Sequence, residues 1–376
     1  MRIAILYASA GHGHQKAAEA AREGLVACGV PENEILVYDS LNGTFPWFKK
    51  FYTSLYFNSV KHTPKLWGAS YQFSEHPWFY RTVIKHVRAS LNGWVGRKLV
   101  QTILDARPET IICTHFFAPE LLGRLKLKKE INYFLVAVIT DFIPHGFWVN
   151  PGTDHYWVMS DEGKGNLEKR GITPDCITAG GIPISLCFRP KGNKREVRRK
   201  LELDPNRFTI LITSGSFGLG PTAEALDCLG DFKEKVQAIV ICGKNETQYS
   251  LLKAKTYPFP VKLYGFVSNM DELMEASDLL IAKPGGATTS ESLAKGIPMV
   301  VLQPIPGQEM GNSNLLKQRN VSFFLGQTSD LRTILKAIFD HPKILDEKRR
   351  EIERLARPNA AIDLAKFVLS KIDARR

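Results

Sequence analysis

Leu279-Leu280-Ile281-Ala282-Lys283-Pro284-Gly285-Gly286-Ala287-Thr288-Thr289-Ser290-Glu291 reads as a buried strand that ends in paired glycines and opens a helix with small and hydroxyl residues. Such a turn leaves the backbone N–H groups of the helix start unobstructed, which makes an anion site, most often for phosphate. Glu291, about one helical turn on, can reach a ribose beside that phosphate. After the next apolar strand, Pro304-Ile305-Pro306-Gly307-Gln308-Glu309 carries a polar pair, Gln308 and Glu309, that can read a second ring. Together these residues predict a nucleotide-sugar pocket.

Working outward, the same strand–helix alternation runs through the whole chain. Before the quoted stretch come Phe208–Thr213, Ala238–Cys242 and Val261–Tyr264, and after it Pro298–Leu302. An earlier series reads Ile3–Ala8, Ile35–Tyr38, Thr110–Thr114 and Tyr133–Thr140, with helices over Gln15–Cys28 and Gly96–Asp105 between. The expected class is α/β, with two tandem Rossmann-like doubly wound domains facing across a cleft. The boundaries predicted are 1–187 for the first domain, 188–357 for the second, and 358–376 for a C-terminal amphipathic helix that packs back on the first.

A length of 376 residues suits two domains, and 44% hydrophobic with 23% charged residues is the composition of a globular chain. Met1-Arg2 leads straight into a strand, and no apolar run approaches the roughly 20 residues needed to span a bilayer. The expectation is therefore a cytoplasmic chain, peripheral on the inner face of the cell membrane. Six cysteines without C-x-x-C spacing read as reduced thiols. A net charge of +12 implies an anionic partner: nucleic acid, an acidic membrane or a phosphorylated substrate.

The distribution of charge narrows the choice. Between Phe45 and Lys98 lie nine Lys or Arg, a single acid, Glu75, and four of the six tryptophans: Trp47, Trp67, Trp78 and Trp94. Phe51, Tyr56, Phe57, Phe73, Phe79 and Tyr80 are among the other rings. If exposed, these rings sit at an acyl boundary with the cations on anionic phospholipid. An aromatic core with a solvated basic face fits the same pattern. Nucleic acid is not the expected partner, because no recognition motif accompanies the rings.

Two clusters sit at carboxyl ends of strands in the first domain. Gly11-His12-Gly13-His14-Gln15-Lys16 follows the first strand, and Thr140-Asp141-Phe142-Ile143-Pro144-His145-Gly146-Phe147-Trp148 follows a later one. Histidines and a carboxylate on one rim can move a proton, though His12 and His14 also fit turn caps, as Asp141 does through Ile143. Gly11-x-Gly13 with Asp39 also has the look of a dinucleotide fingerprint and keeps an oxidoreductase in view, although Lys16 fills the position of its third glycine. A basic membrane- or nucleic-acid-binding scaffold without catalysis is a further alternative. In the second domain, Gly215 and Ser216, then Gly243, Lys244 and Asn245, and then Gly265, Phe266 and Val267, follow successive strands and present N–H groups, a cation or a face for a planar base.

In combination these motifs, with Asn312 after the second proline–glycine block, resemble the monogalactosyldiacylglycerol synthase and processive diacylglycerol glucosyltransferase family of GT-B glycosyltransferases. The resemblance runs from Ile3 to about Asn359. It implies an inverting transfer of glucose or galactose from a UDP-sugar to diacylglycerol, with UDP-hexose as donor substrate, no cofactor and no metal; a GT-B transferase with another lipid or saccharide acceptor is the near alternative. No Asp-x-Asp motif is present to hold one. It implies Asp141 as base with His14 close to the acceptor, and His12, His145 and Trp148 on the acceptor side. Gly285, Gly286 and Thr288, helped by Lys283, fall on the diphosphate site and Glu291 on the ribose. Phe266 and Val267 fall on the uracil, and Gln308 and Glu309 on the sugar hydroxyls. Gly215, Ser216 and Asn245 complete the expected donor set. Phe217 stands where the family commonly has an acid, which bears on donor and acceptor preference.

Overall fold

A computed structural model describes residues 2–9, 11–75, 91–128, 131–213, 215, 220–307 and 309–375, and the side chains of 56, 57, 60, 61 and 72 are not described. Trp78, Phe79 and Tyr80, the site candidates Ser216 and Gln308, and Phe217 lie outside the described residues, as do the rings of Tyr56 and Phe57. The chain divides into two compact units. The first comprises Met1–Leu186, Ile305–Asn312 and Asn359–Arg376, and the second Cys187–Pro304 and Ser313–Pro358.

The first unit is built on six parallel strands: β1 (Ile3–Tyr7), β2 (Ile35–Asp39), β3 (Thr110–Cys113), β4 (Phe134–Val138), β5 (His155–Val158) and β6 (Ile177–Ala179), in the order β2-β1-β3-β4-β5-β6. The chain steps from β1 to β2 on one side and then returns to β3 on the other. The crevice between β1 and β3 is therefore its switch point, where an open α/β sheet receives a ligand at the strands' carboxyl ends. Its described helices are α1 (His12–Ala27), α2 (Pro46–His62), α3 (Pro64–Ser74), α4 (Arg97–Ala106), α5 (Phe117–Leu127) and α6 (Asp161–Lys169).

The second unit repeats the plan. Its strands β7 (Phe208–Thr213), β8 (Val236–Ile241), β9 (Val261–Tyr264), β10 (Leu279–Ala282), β11 (Met299–Val301) and β12 (Ser322–Phe324) run parallel in the order β12-β11-β10-β7-β8-β9. Here the switch point lies between β7 and β10. The helices are α7 (Lys194–Lys200), α8 (Thr222–Leu229), α9 (Glu246–Lys253), α10 (Met270–Glu275), α11 (Gly286–Ala294), α12 (Met310–Gln318, whose first residues belong to the first unit), α13 (Asp330–Asp340) and α14 (Lys343–Leu355).

The last helix, α15 (Ala360–Asp373), belongs to the first unit and buries Leu364, Ala365, Val368 and Ile372 in the same core as Ile3, Ala18 and Leu25. Gly24 of α1 permits the approach: a Cβ there would stand 2.2 Å from the carbonyl oxygen of Ala361.

Strands β5, β6 and β12 were not anticipated. Helix α1 starts at His12, three residues before its expected start, because Gly11 takes the extended N-cap conformation. The two histidines therefore lie in the first turn of the helix rather than in a loop. Segment Ile305–Asn312, expected with the donor domain, groups with the first unit.

Candidate active site

In the first unit, the histidine after β1 meets the ends of β3 and β4. His14 Nδ1 lies 2.8 Å from the Thr114 carbonyl oxygen and 2.9 Å from Thr140 Oγ1, while Thr114 Oγ1 donates to the His14 carbonyl at 2.8 Å. A carbonyl only accepts, so Nδ1 carries the ring proton and Nε2 keeps its lone pair. Burial pushes the His14 pKa down to about 4, against the opposing pull of the Thr114 hydrogen bond, so the ring is neutral at physiological pH. His115 packs edge-on to it, with centroids 4.7 Å apart. His12 is partly exposed two residues earlier on the same helix start.

Asp141 follows Thr140 directly. Its side chain is only partly exposed, and desolvation pushes its pKa up to about 6. The Trp148 indole works against that rise and the charge of Glu309 adds to it. Trp148 Nε1 and the carboxylate do not close to full hydrogen-bond geometry, so the indole is a dipole facing the acid rather than a tight partner. Asn312 Oδ1 accepts from Phe142 N at 2.8 Å and pins the backbone next to Asp141.

Two residues expected on the acceptor side are packed inside the unit. Trp148 is fully buried and His145 is 4% exposed. Phe147 N donates to His145 Nδ1 at 3.1 Å, so Nε2 holds the proton and faces Glu75 Oε1 at 3.1 Å and Ser74 Oγ at 3.2 Å. Both side chains thus brace the loop that carries Asp141. Glu309 likewise stands with the first unit, where its Oε2 accepts from Ile305 N at 2.8 Å. That bond closes the turn in which Gly307 adopts φ +83°.

Asp39 does not serve a dinucleotide. It is buried, its Oδ1 accepts from Ser9 N and Leu41 N at 3.1 Å each, and Lys49 Nζ lies 2.8 Å from Oδ2. Both of its oxygens are thus engaged by the protein's own donors.

In the second unit, the predicted anion loop sits at the switch point. α11 starts at Gly286 with Gly285 as N-cap and no side chain capping it, so the N–H groups of its first turn point outward from the end of β10. Lys283 and Thr288 flank that start and are partly exposed. Glu291 is 3% exposed on the same helix. Across the switch point, Gly215 takes φ +74° after β7. Asn245 caps α9, accepting from Gln248 N at 3.0 Å, so its oxygen is committed to the fold. Phe266 projects from the loop after β9 at 64% exposure, beside Val267, with Lys244 Nζ 5.7 Å from its ring centroid.

Sequence reasoning missed Thr114, Thr140 as the partner of His14, His115, and the bracing roles of Asn312 and Glu75. A signal existed for the first three, since Thr114-His115 and Thr140 close strands on the same rim as His14.

Two tandem Rossmann-like units, each with its loops at the switch point, define a GT-B fold. Solved structures share it: MurG of Acinetobacter baumannii (13% identity, 98% of this chain and 99% of that one, TM-score 0.60) and HepE of Anabaena in complex with UDP (15%, all of both chains, TM-score 0.57). The UDP-GlcNAc 2-epimerase of Neisseria meningitidis has it too (12%, all of both chains, TM-score 0.56), so the fold alone does not name a reaction. The monogalactosyldiacylglycerol (MGDG) synthase family matches residues 14–184, and the glycosyltransferase family 28 C-terminal domain matches 209–351. Processive diacylglycerol beta-glucosyltransferases of Bacillus cereus and Bacillus anthracis are 27% identical over 98% of this chain and 94% of theirs. The chain belongs to the monogalactosyldiacylglycerol synthase and processive diacylglycerol glucosyltransferase family.

Proposed function

We propose that this protein transfers a hexose from UDP-glucose or UDP-galactose to the hydroxyl of diacylglycerol with inversion, giving a β-glycosyldiacylglycerol. The observation that carries the reading is Asp141, a carboxyl group whose pKa burial raises to about 6 after β4, next in sequence to the Thr140 that holds a neutral His14, within a chain whose two halves match the two family domains.

Asp141 takes the proton of the lipid hydroxyl as that oxygen attacks the anomeric carbon, and the bond from that carbon to the diphosphate oxygen breaks. UDP leaves with the bonding pair. The α11 N–H groups and Thr288, with Lys283 beside them, balance the charge of the departing diphosphate. His14 Nε2, held as an acceptor, orients the hydroxyl. Glu291 holds the ribose, and Phe266 with Val267 flanks the uracil.

The assay is radiolabelled sugar transfer from each donor into diacylglycerol in micelles with phosphatidylglycerol. A labelled glycolipid is expected, and UDP release without a lipid product would move the acceptor elsewhere. Excess EDTA should leave the rate unchanged, because fixed dipoles and a cation replace a metal at the diphosphate; a rate restored only by added Mg²⁺ would refute that. Since the base must be ionised, activity falls as pH drops through the Asp141 pKa. The acid limb of kcat/KM is expected near 6, and a limb near the ordinary carboxylate value would remove Asp141 as the base.

The lipid surface is the second partner we propose. No helix among the described residues is long and apolar enough to cross a membrane. Phe45, Trp47 and Trp94 instead form an exposed ring cluster, with centroids 5.0 to 6.5 Å apart, and Phe51 and Leu55 of α2 are also exposed. Lys50, Arg97 and Lys98 are exposed in the same segment. Rings at acyl depth and cations at headgroup level suit an anionic bilayer. Replacing Trp47 and Trp94 together by Ala should weaken sedimentation with phosphatidylglycerol vesicles roughly tenfold or more, about 1.4 kcal/mol; equal binding would place the docking surface elsewhere.

A further inference from the structure

The one acid of the basic, aromatic segment has a place in the fold that its sequence context did not reveal. Glu75 closes the C-terminal end of α3. Its Oε1 accepts from Gly146 N at 2.7 Å and lies 3.1 Å from His145 Nε2, and its Oε2 accepts from Arg170 Nη2 at 2.5 Å. Arg170 is itself held by Asn166 Oδ1 at 2.9 Å, at the end of α6, and reaches the Pro144 carbonyl at 3.4 Å. The Tyr71 ring packs 4.3 Å from that of His145. The last turn of α3 therefore grips residues 144–146 by charge, hydrogen bond and ring contact together. The gripped stretch lies between Asp141 and Trp148, the acid and the indole that faces it.

We propose that Glu75 is a positioning residue for Asp141. It fixes the 144–146 stretch so that Trp148 and the carboxylate keep their spacing, and it ties that loop to α3, which also exposes Leu66 and Phe73. A charged, partly buried clamp of this kind is directional: Glu75 accepts from Gly146 N and Arg170 Nη2 and stands 3.1 Å from His145 Nε2, a set of donors that suits a carboxylate. It also explains why one acid stands in a stretch whose other charges are all positive. The proposal deepens the transferase reading above and rests on it for the identity of the base.

In Glu75→Gln the side-chain amide must turn its own N–H groups toward Arg170 or Gly146, leaving donor against donor. The expected result is a kcat lower by roughly 10- to 100-fold with the KM for UDP-sugar unchanged, the size of effect that a displaced catalytic group produces. The acid limb should move down toward the ordinary carboxylate value, because a loosened loop admits water to Asp141. Arg170→Met should reproduce both changes, and Glu75→Asp, which keeps the charge, should recover part of the rate.

Amide hydrogen exchange on the unliganded protein supplies a measurement independent of the acceptor. Gly146 and its neighbours should exchange at least about tenfold faster in Glu75→Gln, while the second unit stays unchanged. Wild-type exchange at Gly146 with a wild-type acid limb would overturn the proposal. A lower melting temperature with exchange raised evenly over the whole first unit would do so as well, since it marks a merely structural residue. Failure of the wild type to form glycolipid would count against the transferase reading, and the exchange experiment would still decide the clamp.

Discussion

Asp141→Asn yields a folded protein that binds UDP as tightly as the wild type and transfers sugar roughly 10²- to 10⁴-fold more slowly, the usual share of a positioned acid–base group. The carboxamide keeps the volume beside Trp148 and removes only the ability to take a proton. The expected kinetic pattern is a loss in kcat with little change in the KM for the donor, because the interaction is made in the transition state. Initial rates with labelled UDP-sugar and calorimetry with UDP on the same preparation check it. Equal losses in rate and UDP affinity would mean that Asp141 supports the fold or the donor instead. The residue suits its task physically: a pKa of about 6 leaves it largely ionised near neutral pH and far more basic than an ordinary carboxylate. His14, lowered to about 4, is a poorer base but a well-oriented acceptor.

Glu291→Ala is expected to weaken UDP by roughly 1–3 kcal/mol, the worth of hydrogen bonds to a charged group, which is about 5- to 150-fold in Kd. The acid is buried on α11, whose uncapped start opens at the end of β10, so a ligand on that start brings its ribose within reach of the helix. Glu291→Gln, which keeps one acceptor, should fall between the two. Calorimetry with UDP and with UMP reads the loss without an acceptor lipid. An unchanged affinity would take Glu291 out of the pocket and leave the helix start as the whole of the donor site.

What could be read directly from the chain was whatever lies within one βα turn. Lys283 to Glu291 are consecutive, and the backbone that joins strand to helix dictates their geometry. The helix start without a side-chain cap, the α/β class and the tandem plan were therefore legible in the sequence. The positions of Asp141 and His14 at strand ends followed from the same local rule, and resemblance to a known family supplied their roles. Glu75 stood out by composition alone, as one acid among many cations, with no indication of what it holds.

The rest depended on contacts between distant parts of the chain. The His14 tautomer is set by Thr114 and Thr140, 100 and 126 residues away, through the parallel pairing of β1, β3 and β4. Glu309 sits by Asp141 because the chain between β11 and α12 returns to the first unit. The burial of His145 and Trp148 could not be read from the sequence, because burial is a property of the folded loop. Local sequence determined which turns could bind an anion or carry a base, since turn chemistry depends on neighbouring residues. Only the tertiary structure decided protonation, burial and bracing, because desolvation and hydrogen bonding are set by groups that sequence distance does not bring together.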